Sequence, residues 1–430
     1  MRRLSTAHGL VTAALLAAVP ALIATPGWAA DPPALPAELD ALKLADEAVP
    51  AAAPPARDWR LFVEGALGRQ TFAGQPSAAD LRRASIDFRL DTSLAPGLRA
   101  VLSNRLDLVD RDGEPPARNV NTLREAYLGW AATPSTSLDL GRINERHGAA
   151  IGYNPTDWFR EGALRSVVSP DPAQLRENRQ GSVLLRGQQV GAWGALTVAL
   201  SPELGNVPDP DTVAFDAATT NPRDRWLVVV SPKLPGGLNP QLLLHGGAQT
   251  PVQWGLNLSA LAGDAVVLFG EFSSGRGRSL AAQATGPGGG DTTQRRAAAG
   301  LTYTTPFNLS LTLEAEHNGA APNADEWRAL DPAARGQLLA LADRLQDLPM
   351  RRAWFLHALW KDAGLPGLDF GAYLRHDAET RSRDQWLEAR YRAGAFELAL
   401  QWQRLSGDAG TIYGLVPQRR ALELSARYFF

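Results

Sequence analysis

The chain has no cysteine, and only three of its 43 basic residues are lysine (Lys43, Lys233 and Lys361). The missing cysteines exclude disulfide scaffolds, iron–sulfur clusters, thiolate zinc sites and cysteine nucleophiles, and they remove direct redox evidence about the compartment. The arginine-dominated cation set says little by itself. A basic excess is lacking too. The 43 Lys and Arg stand against 45 Asp and Glu, a formal charge of −2, which argues against a nucleic-acid binder. Beyond residue 30 no stretch offers the roughly 18 apolar residues that a spanning helix requires. Enzyme signatures are also scarce. There is no Gly-x-Ser-x-Gly elbow, the six histidines are scattered, and Gly286 to Gly290 lacks the strand-to-helix context of a phosphate loop. No catalysis, metal or cofactor is assigned. His317 and His357 are the first candidates for a Ser/His pair assembled by the fold, and Asp209, Asp211 and Asp216 for a calcium loop, with strand-end polar residues and solvated loop acids as the plainer readings.

What is present is apolar enough to bury a large core: 45% hydrophobic and 20% charged residues, with a mean hydropathy of −0.18. Length alone, 430 residues at about 150 per domain, suggests two or three soluble domains, but the pattern along the chain points elsewhere. Met1-Arg2-Arg3, the apolar stretch from Leu10 to Ala24, and Gly27-Trp28-Ala29 predict a cleaved signal peptide over 1–29. Removing Arg2 and Arg3 leaves 41 cations against 45 acids, a net charge of −4. The Ala- and Pro-rich 30–57 segment reads as a periplasmic linker, with a plug or coiled coil as the alternative.

From Trp59 onward the dominant period is two, so successive side chains face opposite sides of a strand. Leu422, Leu424, Ala426, Tyr428 and Phe430 share one face against Glu423, Ser425 and Arg427. Phe396, Leu398, Leu400 and Trp402 oppose Glu397, Gln401 and Gln403, and Ala84, Ile86, Phe88 and Leu90 oppose Ser85, Asp87, Arg89 and Asp91. Around Val183 to Arg186 and Val266 to Phe272 apolar residues occupy both parities, and those strands are placed by position. Eight short turns, such as Leu94-Ala95-Pro96-Gly97, Gln189-Val190-Gly191 and Arg392-Ala393-Gly394, alternate with nine other connections, several of them long: 144–177, 202–223, 274–292, 318–349 and 405–419. Eight turns and nine loops make eighteen strands, with sixteen as the nearest alternative. An even count is what a bacterial single-chain outer-membrane barrel requires. The expected fold is all-β: a transmembrane antiparallel up-and-down β-barrel over 58–430. A soluble β-sandwich also alternates, but nothing makes its loops alternate between short and long. Trp59, Trp130, Trp254, Trp360, Trp402, Tyr428 and Phe430 end apolar faces, as interface aromatics do.

The last run, Leu424-Ser425-Ala426-Arg427-Tyr428-Phe429-Phe430, resembles the C-terminal recognition strand that Gram-negative barrel-assembly machinery reads. Leu123 to Trp130, then Leu138 to Arg142, then Asn154-Pro155-Thr156-Asp157 resemble the strand, strand, third-loop passage of outer-membrane channels. The mature chain as a whole resembles porin-like and alginate-export-like barrels. The resemblance implies an outer-membrane location among lipids and lipopolysaccharide. Its function would be passive passage of small polar solutes or of an exported polymer, by a monomer or weak oligomer. A plugged barrel whose loops serve as adhesin or enzyme scaffold is the alternative.

On that architecture the polar parity is expected to line the interior: Arg60, Glu64, Asp87, Arg89, Arg99, Arg105, Asp107, Glu125, Arg142, Glu314, Glu316, Asp369, Arg375, Glu388, Arg390, Arg392, Glu397, Glu423 and Arg427. These charges either neutralise each other across neighbouring strands or set a transverse field that selects ions. The third loop carries Arg146, His147, Asp157, Trp158, Arg160 and Arg165. It is expected to fold inward as a constriction, with an outward surface loop as the competing reading. Over 323–348 the period changes: Asn323 with Glu326 resembles a cap, Asp331-Pro332 starts a helix, and Leu338, Leu341, Leu345 and Leu348 form a stripe. That helix caps the mouth or packs among the loops, with partner binding as the alternative.

Overall fold

The computed structural model describes residues 57–112, 118–205, 207, 211–212, 214–286 and 288–430. The expected signal peptide and all but Arg57 of the expected linker lie outside the described residues. Eighteen strands are present among those described: β1 (Trp59–Phe72), β2 (Ala79–Ala95), β3 (Leu98–Arg111), β4 (Arg118–Thr133), β5 (Thr136–Ile143), β6 (Ser182–Gly191), β7 (Gly194–Ser201), β8 (Arg225–Pro232) and β9 (Leu238–Gly247), followed by β10 (Thr250–Ala262), β11 (Val266–Gly277), β12 (Thr292–Thr304), β13 (Leu309–Asn318), β14 (Arg352–Trp360), β15 (Leu368–Asp377), β16 (Arg383–Ala393), β17 (Phe396–Ser406) and β18 (Gln418–Phe429).

Each strand pairs antiparallel with its neighbours in sequence, and β18 closes on β1 with Glu64 opposite Arg427 and Leu67 opposite Leu424. The sheet therefore has no free edge, the only way a sheet satisfies its backbone within hydrocarbon. The parity separates two environments: Leu67 and Leu424 are 65% and 53% exposed, while the adjoining Glu64 and Glu423 are 4% and 7% exposed. Such a contrast leaves the apolar rows outside, uncovered by any second layer, which excludes the sandwich.

Long connections lie at one end and tight turns at the other. Gly97, at φ +74° in the β2–β3 turn, occupies a left-handed conformation that a side chain would strain, and a Cβ there would meet the Ala131 carbonyl oxygen at 3.1 Å. Two turns sit later than expected: β6 runs through Gly191, with its turn at Ala192-Trp193, and β16 runs through Ala393. In both cases the ladder continues through residues with turn propensity.

Among the described residues six α-helices and one 3-10 turn (Trp158–Arg160) lie in the loops: α1 (Pro172–Glu177), α2 (Ala217–Thr220), α3 (Leu280–Thr285), α4 (Ala324–Ala329), α5 (Pro332–Leu345) and α6 (Ile412–Leu415). The single helix expected over 323–348 is two. Asn323 and Glu326 form a capping box on α4, which ends at Leu330, and Asp331 then caps α5 with Pro332 in its first turn. A new N-cap followed by proline restarts the helix rather than extending it. Leu338 and Leu348 are buried with Trp327, Leu280 of α3, Ile412 of α6, and Ala150 and Tyr153 from the 144–181 loop, so the helices pack among the loops over the barrel's long-loop end.

Candidate functional site

The 144–181 loop turns inward. Its first stretch is held by groups projecting from the inner wall. The Ala150 N–H donates to Glu271 Oε1 on β11 at 2.7 Å, and the Ile151 and Gly152 N–H groups donate to the two oxygens of Glu314 on β13 at 2.6 and 2.9 Å. Arg375 on β15 donates to the Gly152 carbonyl at 2.5 Å and pairs with Glu316 at 3.3 Å. Thr156 then donates to Asn257 on β10 at 2.8 Å. Further along, Gln401 on β17 donates to the Val168 carbonyl at 3.1 Å, and Arg124 on β4 donates to Asn178 at 3.0 Å. One connection thus touches inward-facing side chains on well-separated arcs of the wall, which requires it to cross the interior.

Its aromatic residues fix the crossing. Trp158 stacks on His245 of β9 with ring centroids 5.0 Å apart and donates from Nε1 to Gln253 at 3.0 Å. Phe159 packs edge-on to the same imidazole, with the Arg225 guanidinium 4.6 Å from its ring centre. Beneath them Ile143, Leu184, Ala199, Leu227, Val229 and Leu243 form a dry cluster on the inner wall of β5 to β9. Those inward apolar residues explain the missing period in this part of the sequence: the outer face carries exposed leucines, and the inner face meets the loop.

The remaining constriction candidates are tied down. Arg160 donates to the Asn154 carbonyl at 2.7 Å and to Asp347 at 2.9 Å. Asp347 lies in the 319–351 loop, just after α5, and also accepts from Tyr153 at 2.7 Å and from Arg296 of β12 at 3.3 Å. Burial disfavours charge on Asp347, but Arg296 and Arg160 outweigh it and hold the carboxyl below its ordinary range. Asp157 is likewise buried, and Arg179 and Arg176 keep it below the ordinary range. His147 lies 2.9 Å from Glu145, which burial opposes but Arg186 and His147 pull down to about 2. Arg165 pairs with Asp216 at 3.1 Å, and Arg146 is half-buried near the loop's start.

The inner wall from β16 round to β4 carries a linked set of charges. Arg83 bridges Glu64 at 3.1 Å and Glu423 at 2.8 Å; Arg105 bridges Glu64 at 2.8 Å and Asp107 at 2.9 Å; Arg124 reaches Asp87 at 2.6 Å. Arg427 pairs with Glu64 and, at 2.8 Å, with Glu397, while Arg390 joins Glu397 at 2.6 Å and Glu388 at 2.8 Å. Nearer the turns Arg89 meets Glu125 at 2.8 Å, Arg99 meets Asp91 and Arg392 meets Asp369, with Arg60 exposed at the rim. Five arginines against six carboxylates make the central set close to neutral. By contrast, β7 to β10 contain no carboxylate at all.

Comparison with known proteins comes from structure alone: no protein-family model and no curated protein matches the chain. The barrel superposes on Acinetobacter baumannii OccAB1 with a TM-score of 0.54 at 11% identity, covering 86% of this chain and 96% of that one. Pseudomonas aeruginosa OpdQ gives 0.52 at 11%, covering 87% and 99%, and P. aeruginosa OccK5 (OpdH) gives 0.51 at 12%, covering 86% and 97%. The fold is that of the Gram-negative outer-membrane porins.

Within this porin-type barrel several expected positions move. Arg142 does not face the interior. It shares the parity of the exposed Leu138 and Leu140 and is buried at the long-loop end, where it donates to the Gly181 and Phe215 carbonyls at 2.7 and 2.6 Å and stacks 4.4 Å from the Phe215 ring centre. It anchors loops rather than lining a path. Glu314 and Glu316 do face inward but lie beneath the loop they hold, at 0% and 3% exposure, and Asp107, Asp87 and Arg105 are equally sealed within their own ion-pair network, so none of the five meets an open lumen. Asp216 is engaged by Arg165 and Thr219, and Asp209 lies outside the described residues. His317 lies on the outer face and His357 on the inner face against Phe355, 3.7 Å from Asp171, and among the described residues neither is hydrogen-bonded to a serine. Trp59, Trp130, Trp254, Trp360, Tyr428 and Phe430 are exposed on the outer face, and Trp402 is half-buried there.

Other members of the site escaped sequence reasoning. Arg83 shares the parity of Ser85 and Asp87 and was findable from it. Arg124 was not: a bulge opposite Ser103 and Asn104 turns Arg124 and Glu125 inward together, against the alternation. His245, Glu271, Arg179 and Asp347 matter only because the loop comes inward to meet them.

Proposed function

We propose that the protein is an outer-membrane channel through which small polar solutes pass passively, with the 144–181 loop as its constriction and the charged arc from β16 to β4 as one wall of the path. The observation that carries this reading is the loop's crossing, from Glu271 and Glu314 on one side to Gln401 and Arg124 on others. Such a crossing narrows the lumen and favours small solutes over an exported polymer, which needs an unobstructed bore. The belt of exposed leucines on the closed barrel supports placement in a bilayer. The reading assigns no catalysis.

The near-balance of Arg and Glu in the central network supports mutual neutralisation across neighbouring strands, hence weak ion selectivity. Liposome swelling tests the proposal: vesicles carrying the refolded barrel should admit small sugars and amino acids at rates that fall with solute size. Vesicles that swell no faster than protein-free controls would overturn it.

A further inference from the structure

The outer face carries a second charge pattern, distinct from the interior. On the strands beside the barrel closure, Arg404, Arg420, Arg69 and Arg82 all point away from the barrel near its long-loop end. Arg404 and Arg420 stand directly opposite each other in register, with Thr71 opposite Arg420 and Arg82 one step diagonal from Arg69. Like charges facing across a sheet are destabilising unless something lies between them. Asp80, directly opposite Arg69 in register, and Asp110 are the strand carboxylates on this face, with the exposed Asp112 just past β3 accepting from the Asp80 N–H. Asp110 pairs with Arg82 at 3.2 Å, whereas Arg69, Arg404 and Arg420 make no ion pair among the described residues. Trp402, two residues from Arg404 on the same face, marks the apolar boundary just below.

Further down the same face lies a groove of about 590 Å³ in the apolar wall, lined by Arg82 and reached from Arg69 and Arg420 four residues along their strands. Gly65, Ala84 and Ala426 form its floor and Leu67, Leu398 and Leu424 its sides, and it opens upward at Arg82 and Asp110. A Cβ at Gly65 would meet nothing within 4 Å, so the hollow comes from the small residues themselves.

We propose that this face binds a phosphorylated lipid of the outer leaflet, its head-group phosphates between Arg404, Arg420 and Arg69 and an acyl chain in the Gly65–Ala84–Ala426 groove. Arginine presents paired N–H donors that suit phosphate oxygens, and a phosphate between Arg404 and Arg420 turns their repulsion into attraction. Charge complementarity at the top and an apolar hollow below fit one amphiphile. The inference rests on the barrel standing in an outer membrane with its long loops outward, but not on conduction. A barrel that conducts and ignores the lipid sinks this inference alone.

Native mass spectrometry of the full barrel in detergent provides the test, with bisphosphorylated lipid A, a zwitterionic phospholipid and inorganic pyrophosphate as probes. Wild-type protein should retain lipid A and not the zwitterionic lipid, and pyrophosphate at equal concentration should not displace it. A doubly substituted Arg404→Ser, Arg420→Ser barrel should bind lipid A about ten-fold more weakly, the scale of losing charge-assisted hydrogen bonds. Gly65→Leu should also weaken binding by filling the groove while leaving every arginine in place, and heat-modifiable gel mobility checks that both variants fold. Unchanged retention in both variants would overturn the proposal. So would equal retention of the zwitterionic lipid, displacement by pyrophosphate alone, or a lipid-free dimer whose contact Gly65→Leu abolishes.

Discussion

Arg160 and Asp347 meet at 2.9 Å and join a loop that enters the barrel to a loop that lies over its mouth. The contact is buried and shared with Tyr153 and Arg296, so the inward loop is latched from above as well as from the wall. Asp347→Asn would leave two guanidiniums, Arg160 and Arg296, without their carboxylate. Removing one partner of a buried pair costs about 3–5 kcal/mol. The variant should keep its barrel, show faster proteolytic cleavage within 144–181, and flicker more in single-channel records. Unaltered cleavage would show that the latch does not hold the loop.

Acid should release the same loop late. Asp347 and Asp157 are held below their ordinary range, and Glu145 falls to about 2 from 4.5. A carboxyl with a depressed folded value contributes stability above its unfolded value, and that stability is lost as pH falls through the folded value. The difference in loop protection between wild type and Asp347→Asn isolates the contribution of Asp347; it should be constant from pH 7 to pH 5 and shrink only below about pH 4, where unfolded carboxyls protonate. A difference that already shrinks near pH 6 would contradict the assignment.

Phe159→Ala tests the dry cluster. Phe159 is 4% exposed against Leu184, Leu227 and Leu243, and truncating a buried phenylalanine costs about 3–5 kcal/mol. The cost should fall on loop docking, since the strands themselves are closed by their ladders. Loop protection should drop while heat-modifiable mobility stays that of a folded barrel.

Much of this was legible in the residues, and some was not, for a physical reason in each case. Leu424 and Glu423 meet different solvents, so strands such as β18 write their two faces directly into the sequence. The loop of 144–181 could be flagged by its length, but Leu227 and Leu243 hid its position, because a strand that is apolar on both faces loses its period. Glu314 reads as a pore residue from parity, yet the loop covers it, and parity carries no information about what comes to rest on a face. Arg142 sits at the end of β5, where the Gly181 and Phe215 carbonyls take up its charge, and Arg124 turns inward only because a bulge inserts one residue. Local alternation is therefore readable, whereas contacts made by a long loop are set by partners distant in the chain.

Ion selectivity tests the inner wall. Arg390 lies between Glu388 and Glu397 and is unsuitable for reversal, since a third carboxylate there would be buried with two others. Arg392 is 52% exposed beside Asp369. Arg392→Glu should shift the reversal potential toward cations in a salt gradient, and the shift should shrink at high salt as screening shortens. An unchanged potential would place Arg392 off the path.

Leu424→Arg tests the outer face. Leu424 stands midway along β18 and points outward, and an arginine at the bilayer midplane costs about 2–4 kcal/mol. Folding into vesicles, followed by urea titration, should show a loss of that size, whereas Arg420→Leu near the rim should cost little.

Conductance across a planar bilayer tests the central claim most directly, measured for the wild-type barrel and for one whose residues 150–178 are replaced by a short Gly-Ser linker. A water-filled lumen narrowed by an inward loop should give discrete small steps in the first and steps several-fold larger in the second. Two folded barrels that both stay silent, or that conduct equally, would contradict it.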